Sequence, residues 1–514
     1  MTAPVFSWLK DRSAGILLHP TSLPGTQGIG VMGIETFRWI DFLKESGVRY
    51  WQILPTGHTG FGDSPYQCFS AFAGNPYWID LDELILHRLL THDECQYLSE
   101  LPQDRVHFDA LYQIKWPLLR LAFKRFQDSG KRALGERIDF AAFCKNESEW
   151  LEPYAAYMAF KDKHGGSPWY EWESRYQTFS KARKTPLFKQ LSSQMEAWSF
   201  FQYIFWHQWE RIKTAANQVG IEIIGDLPIF VSKDSADVWA FPELFQIDKS
   251  GALKVVAGVP PDYFSEDGQL WGNPLYNWDH LKQSGYSWWI KRLAQGQKLY
   301  DVVRLDHFRG FANYWEIPAE SPTAKTGRWV DGPGLDFFIK VKAALPELNI
   351  IAEDLGELDE KVFELLRQTG LPGMSVLHFA FDAHPDNIYL PCNVNPNNIM
   401  YPGTHDNDTT VGWYRSQNAQ TQDQVRRYLR VSGEDIAWDL IRLAFGSVSK
   451  LCVFTAQDLL SLGTTARMNL PGTAQGNWAW RMTSIQYEKI RVHTTYLKEL
   501  GTLYNRLPKA KTEA

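Results

Sequence analysis

Residues Val302–Gly310 read VVRLDHFRG, a short apolar run that ends at once in an arginine, an acid and a histidine. A stretch this brief, rich in β-branched residues, predicts a strand buried on both faces and opening into a polar loop. The same pattern recurs in AGILLHP (Ala14–Pro20), YWQILP (Tyr50–Pro55), IEIIGDLPIFV (Ile221–Val231) and NIIAEDLG (Asn349–Gly356). It returns in GMSVLHFA (Gly373–Ala380), NIMYPGTHDND (Asn398–Asp408) and LCVFTAQDLL (Leu451–Leu460). Helical patterns lie between most of these runs, for example TFRWIDFLKESG (Thr36–Gly47) and LDEKVFELLRQTG (Leu358–Gly370). The latter opens on acids and closes on a glycine, as a helix should. Eight strand–helix repeats predict an α/β fold, a parallel (β/α)8 TIM barrel, with a doubly wound open sheet as the rival.

Two gaps exceed an ordinary crossover. The 514 residues are read as one catalytic barrel, 1–514, with large insertions between strands two and three and between strands three and four. A largely helical subdomain is expected at about 61–194, followed by the helix pattern Ala197–Gln218. A lid or loop subdomain is expected at about 232–300, built around the Gly/Pro-rich GVPPDYFSEDGQLWGNPLYNW (Gly258–Trp278), since loops of that length inside a domain usually serve function.

Composition narrows the function. Hydrophobic residues make up 44% and charged residues 22%, enough for a large core. The net charge of −6 leaves no basic surplus for a phosphate backbone, which argues against nucleic acid. Five scattered cysteines predict a reducing, cytoplasmic setting and no structural metal. MTAPVFSWLKDRSAG lacks a signal-peptide pattern, and no apolar run is long enough to span a membrane. Aromatic residues reach 14%, with 22 Trp; flat rings with polar tips suit sugar faces.

In a parallel barrel the chemistry gathers at the carboxyl ends of the strands. Those ends carry Asp226 on strand three, Arg304 and Asp306 on strand four, Glu353 on strand five, and His405 and Asp406 on strand seven. Arg304 and Asp306 are two apart and share one side of the strand. A guanidinium there is expected to keep Asp306 ionised, as a nucleophile must be. Glu353 follows Ile350, Ile351 and Ala352, an apolar setting that should raise its pKa and keep a proton ready to donate. Any one of these acids alone is more often a helix cap; the convergence of Asp306, Glu353 and Asp406 on one mouth carries the hypothesis. THDND lacks further ligands for a metal. Gly28, Gly30 and Gly33 match a dinucleotide fingerprint in spacing only, because PTSLPGTQ separates them from the strand and no acid follows at the right distance. Neither a G-x-S-x-G elbow nor a nucleotide P-loop is present.

TSLPGTQGIG, GDLPIFV, GVPPDYFSEDGQLWGNPLY, VVRLDHFRGF, AEDLG and PGTHDND, in this order and continuing to NWAWRM (Asn477–Met482), closely resemble the amylomaltase, or disproportionating-enzyme, family of 4-α-glucanotransferases in the α-amylase clan. The resemblance implies Asp306 as nucleophile, Glu353 as acid/base and Asp406 as transition-state stabiliser, with Arg304 and His405 holding the nucleophile and sugar hydroxyls. It implies substrate contacts at Tyr66, Ser64, Asp226, Asp262, Gln269, Trp271, Asn273 and Asn477. It further implies a retaining transfer through a covalent glucosyl-enzyme, no cofactor, and α-1,4-glucans (maltooligosaccharides, amylose, glycogen or starch) as substrates, with glucose as an acceptor. Strand three reads GDLPIF, without the Asp-x-x-x-Asn-His of true amylases. That weighs against the main alternative, an α-1,4-glucan hydrolase of the same clan. A non-catalytic glucan-binding barrel would lack one of the three acids.

Overall fold

Twelve strands are present in the computed structural model, which describes residues 4–129, 134, 139–248, 251–261, 266–473 and 475–509. They are β1 (Ser13–Leu17), β2 (Tyr50–Gln52), β3 (Glu222–Leu227), β4 (Val255–Val259), β5 (Gln269–Pro274) and β6 (Val302–Leu305). There follow β7 (Asn313–Pro318), β8 (Arg328–Asp331), β9 (Ile350–Ala352), β10 (Gly373–Val376), β11 (Asn398–Tyr401) and β12 (Leu451–Thr455). Eight of them form one parallel sheet in the order β10-β11-β12-β1-β2-β3-β6-β9, and these are the eight runs picked out in the sequence. The last seam is drawn together by the Ala352 N–H donating to the Pro372 carbonyl at 2.9 Å, so the sheet is a nearly closed barrel.

Strand alternation decides what reaches the barrel interior. Ile224, Val302, Ile351, Ile399, Tyr401 and Val453 pack together in one inner cluster, while Val303, Leu305 and Ala352 belong to the outer core beneath the helices. Continuing that alternation by two residues turns Asp226 and Arg304 inward above Ile224 and Val302, and Glu353 inward above Ile351. Register then sets their neighbours: Asp226 lies opposite Arg304, and Leu305 opposite Ala352. Asp306 and Glu353 are therefore the next residues beyond a paired rung.

Outside the barrel, the helix Glu360–Thr369 is capped by the Asp359 side chain and stopped by Gly370 at φ 69°, as its sequence predicts. Between β2 and β3 the described residues form helices, among them Phe108–Asp128, Ser148–Lys163 and Ser192–Gln218, joined by dense aromatic packing around Trp116, Trp198 and Phe200. The glycine-rich stretch read as a loop holds β5 and the end of β4, which pair antiparallel and are continued by β7 and β8 from beyond the fourth barrel strand, in the order β5-β4-β7-β8. Glycine content hid these strands: Gly268 and Gly272 take φ 68° and 74° at the entry and middle of β5, and Gly258 has no room for a side chain against Gln269. Among the described residues no helix is long and apolar enough to cross a membrane.

Candidate active site

Asp226 is the hub of the barrel mouth. Its side chain is wholly buried, and Oδ2 accepts from Arg304 Nη1 at 2.5 Å and from the Tyr66 hydroxyl at 2.7 Å. Arg304 Nη1 also donates to Asp306 Oδ1 at 3.2 Å, and its Nε meets Met374 Sδ at 3.4 Å. Tyr66 has a single proton, given to Asp226, so the His405 Nε2 at 2.7 Å from its oxygen must be the N–H that donates to it. The same Nε2 lies 3.3 Å from Asp406 Oδ2. The rings of Tyr66 and His405 are stacked, with centroids 5.5 Å apart and 11° between planes. Burial pushes His405 below the usual histidine range despite Asp406, which keeps the imidazole neutral.

Glu353 accepts two backbone bonds, from His307 N–H at 2.7 Å to Oε2 and from Leu355 N–H at 3.0 Å to Oε1. Burial raises its pKa, with Arg304 and those two N–H groups opposing. Arg304 acts on Asp306 in the expected direction, favouring the ionised form, but burial outweighs it. Burial pushes the Asp306 carboxyl well above the ordinary carboxylate range, Arg304 opposes this, and the charges of Asp226, Glu353 and Asp406 add to it. The guanidinium nitrogen sits nearer to Asp226 than to Asp306, so most of its attraction is already committed.

The remaining residues named from sequence fall into distinct places. Asp406 is half-exposed and accepts from Asn469 Nδ2 at 2.6 Å. Trp271 on β5 is partly buried, donates to Gln269 Oε1 at 3.1 Å, and meets His307 edge-on at 4.8 Å, which ties it to the residue after Asp306. Ser64 Oγ accepts from the Tyr66 N–H at 3.2 Å. Asn273 is buried and donates to the Val231 carbonyl at 2.9 Å, accepting from Gln67 at 3.4 Å. Asn477 is engaged in its own turn with Leu470 and Thr473. Asp262 lies outside the described residues. Sequence reasoning passed over Trp478, whose ring lies 5.7 Å from Tyr66 and 6.1 Å from His405. It also passed over Asn469 and Arg467, whose Nη2 donates to the Asp406 carbonyl at 2.7 Å. The signal for these was weak: neutral or basic residues in a loop after the eighth strand. Among the described residues no group of three or more His, Cys, Asp or Glu is disposed to hold a metal.

The family profile described as 4-alpha-glucanotransferase matches residues 18–486. The chain is 49% identical over 479 residues to a 4-alpha-glucanotransferase of Thermus thermophilus, an alignment covering 92% of this chain and 95% of that one. It belongs to the 4-alpha-glucanotransferase family. A 4-alpha-glucanotransferase of Streptococcus pneumoniae is 44% identical over 503 residues, covering 97% and 98% of the two chains. Among solved structures, an amylomaltase from Streptococcus agalactiae in complex with acarbose superposes with a TM-score of 0.92 at 40% identity, covering 97% of this chain and all of that one. Membership makes the protein a glycosyltransferase of the barrel type acting on α-glucans, and it does not favour hydrolysis.

Proposed function

We propose that the protein transfers a segment of an α-1,4-glucan to the 4-hydroxyl of a second glucan or of glucose, with net retention, through a glucosyl ester of Asp306. The observation that carries this reading is the rung Leu305–Ala352, which sets Asp306 and Glu353 side by side, with Asp406 felt at the same carboxyl. The reactive form has Asp306 ionised against Arg304 and Glu353 protonated. Asp306 attacks C1 as the C1–O4 bond breaks, and the Glu353 proton passes to the departing O4. The acceptor hydroxyl then gives its proton to Glu353, attacks C1 and releases Asp306. Retention requires carboxyl groups about 5–5.5 Å apart. Asp406, steadied by Asn469 and His405, stabilises the positive ring in between. Both steps use carboxylates only, so no cofactor is called for.

Transfer must outrun hydrolysis. Water at ~55 M against an acceptor at ~1 mM demands roughly 6–7 kcal/mol of preference, the order that positioning in a water-excluding site supplies. The strands β4 and β5, carrying Trp271 and Gln269 over the mouth, act as the lid of the 232–300 insertion, and the helical insertion at about 61–194 supports the loop that bears Tyr66. Tyr66 and Trp271 offer aromatic faces to sugar rings, together with Ser64 and Asn477 at the rim, and Asp262 is read as a further sugar contact. Asp226 and Asn273, both buried, act through Arg304, Tyr66 and the loop backbones. All five cysteines are free, in keeping with a cytoplasmic enzyme. Incubation with maltotriose tests the reading: glucose and a ladder of longer products should appear while the number of reducing ends stays constant. A rising number of reducing ends, with no product longer than maltotriose, would show a hydrolase.

A further inference from the structure

The nucleophile is followed by a turn that side chains rarely adopt. His307 has φ 51°, in the left-handed region where a Cβ crowds the following carbonyl oxygen. That turn aims the His307 N–H at Glu353 Oε2, 2.7 Å away, and it is locked on both sides, since the Phe308 N–H donates to the Glu353 carbonyl at 3.0 Å and the Gly310 N–H to the His307 carbonyl at 2.9 Å. The imidazole of the same residue packs edge-on against the indole of Trp271, with centroids 4.8 Å apart and 81° between planes. Trp271 stands on β5, in the antiparallel sheet and outside the barrel. One residue thus joins the backbone turn between Asp306 and Glu353 to an aromatic platform on a separate sheet.

We infer that His307 is a positioning residue that couples Trp271, and a sugar resting on it, to the placement of the Glu353 carboxyl. The inference rests on the reading of Glu353 as the acid/base. A push on the imidazole turns the 306–308 segment, which moves the N–H that holds Oε2. The donor that occupies Trp271 therefore helps to aim the acid at its own glycosidic oxygen, and an empty platform leaves the acid less well placed.

Substitutions separate the backbone role from the ring role. Glycine accepts positive φ and keeps the N–H, whereas valine, branched at Cβ, resists it. An N–H bonded to a carboxylate favours its charged form, so loss of the bond raises the Glu353 pKa and moves the basic limb of the kcat profile upward. Glu353 is faced by Arg304 on β6 and Asp306 just beyond it, Asp226 from β3, Asp354 from its own segment and Tyr389 from the loop after β10. Comparing two variants at position 307 leaves all five in place. His307→Val should lower kcat at least about tenfold with little change in KM and shift the basic limb upward by about one pH unit. His307→Gly should leave the limb where it is in the parent enzyme. Trp271→Ala should lower kcat in the parent, and at least about threefold less in the His307→Gly background. Equal costs of Trp271→Ala in the two backgrounds, or a limb that moves alike in the valine and glycine variants, would overturn the coupling. The cycle needs only the glycine variant and decides the matter even if valine prevents folding. Glu353→Gln, assayed alongside, separates the two failures: an active Glu353→Gln overturns the acid/base reading, while an inactive one with additive cycles overturns only the role of His307.

Discussion

Replacing Asp226 by asparagine removes one charge from the centre of the site and keeps its shape. Two carboxylate oxygens bonded by one guanidinium nitrogen, at 2.5 Å and 3.2 Å, lie at most 5.7 Å apart. At that separation and an effective dielectric near 20, Asp226 raises the energy of ionised Asp306 by roughly 3 kcal/mol, about two pH units. Arg304, released from Asp226, turns its attraction to Asp306 and works in the same direction. The Asp306 carboxyl should then ionise at lower pH. Because the nucleophile must be ionised, the acidic limb of kcat/KM should move down by about 1–2 pH units. Stability should fall, since breaking a fully buried ion pair costs about 3–5 kcal/mol and asparagine, which still accepts hydrogen bonds, belongs at the low end. Spread over the unfolding entropy of a chain of 514 residues, ~3 kcal/mol lowers Tm by about 3 °C. The assay is glucose release from maltotriose across the pH range, with a thermal melt as control. A folded Asp226→Asn enzyme whose acidic limb stays put or moves upward would refute the account of how the hub charges act.

Asn469→Ala removes the 2.6 Å donor to Asp406 at a half-exposed carboxylate, where water partly replaces it; kcat/KM should drop about 5–10-fold with Tm unchanged, as steady-state kinetics and a melt will show. Gly225→Ala would put a Cβ 2.1 Å from the Tyr300 ring, which is pinned to Thr56 at 2.7 Å. It should cost more than about 3 kcal/mol, seen as a collapse in soluble yield or a Tm lowered by several degrees. Burial pushes the Lys115 ammonium down to about 7, with the Tyr77 carbonyl as its hydrogen-bond acceptor. Below pH 7 the lysine is charged in both the folded and the unfolded chain, so the folded state bears the full penalty. As pH rises towards the unfolded value the penalty fades. Lys115→Met should therefore raise Tm by about 2–4 °C at pH 6 and by progressively less towards pH 10, a trend that melts at several pH values will follow.

The barrel was legible because its signal is local and repeated: each strand is a short apolar run whose last residues must turn polar at the mouth. Alternation was enough to place Arg304 beside Asp306, and the strand end to bring Glu353 to the same mouth. The burial of Asp306, and the choice Arg304 makes between Asp226 and Asp306, were not legible. That choice follows from the register of β3 against β6, a pairing between residues 78 positions apart. The antiparallel sheet escaped notice for a different reason: glycine and proline in 258–278 obscure strand propensity, and its partners β7 and β8 lie beyond the next barrel strand. Trp478 and Asn469 come from a loop whose path no local pattern reveals. Asn273 illustrates the converse, a residue the resemblance marks for substrate that is buried against Val231 and Gln67.

The central claim is that Asp306 carries the sugar between two displacements. An α-maltosyl fluoride needs no acid to expel its leaving group, so in Glu353→Gln the first displacement should proceed while the second, deprived of its base, stalls. Mass spectrometry of the quenched and digested protein should then find a maltosyl unit esterified to the peptide containing Asp306. A sugar attached to any other carboxylate, or a protein that turns over the fluoride without ever carrying one, would contradict the account.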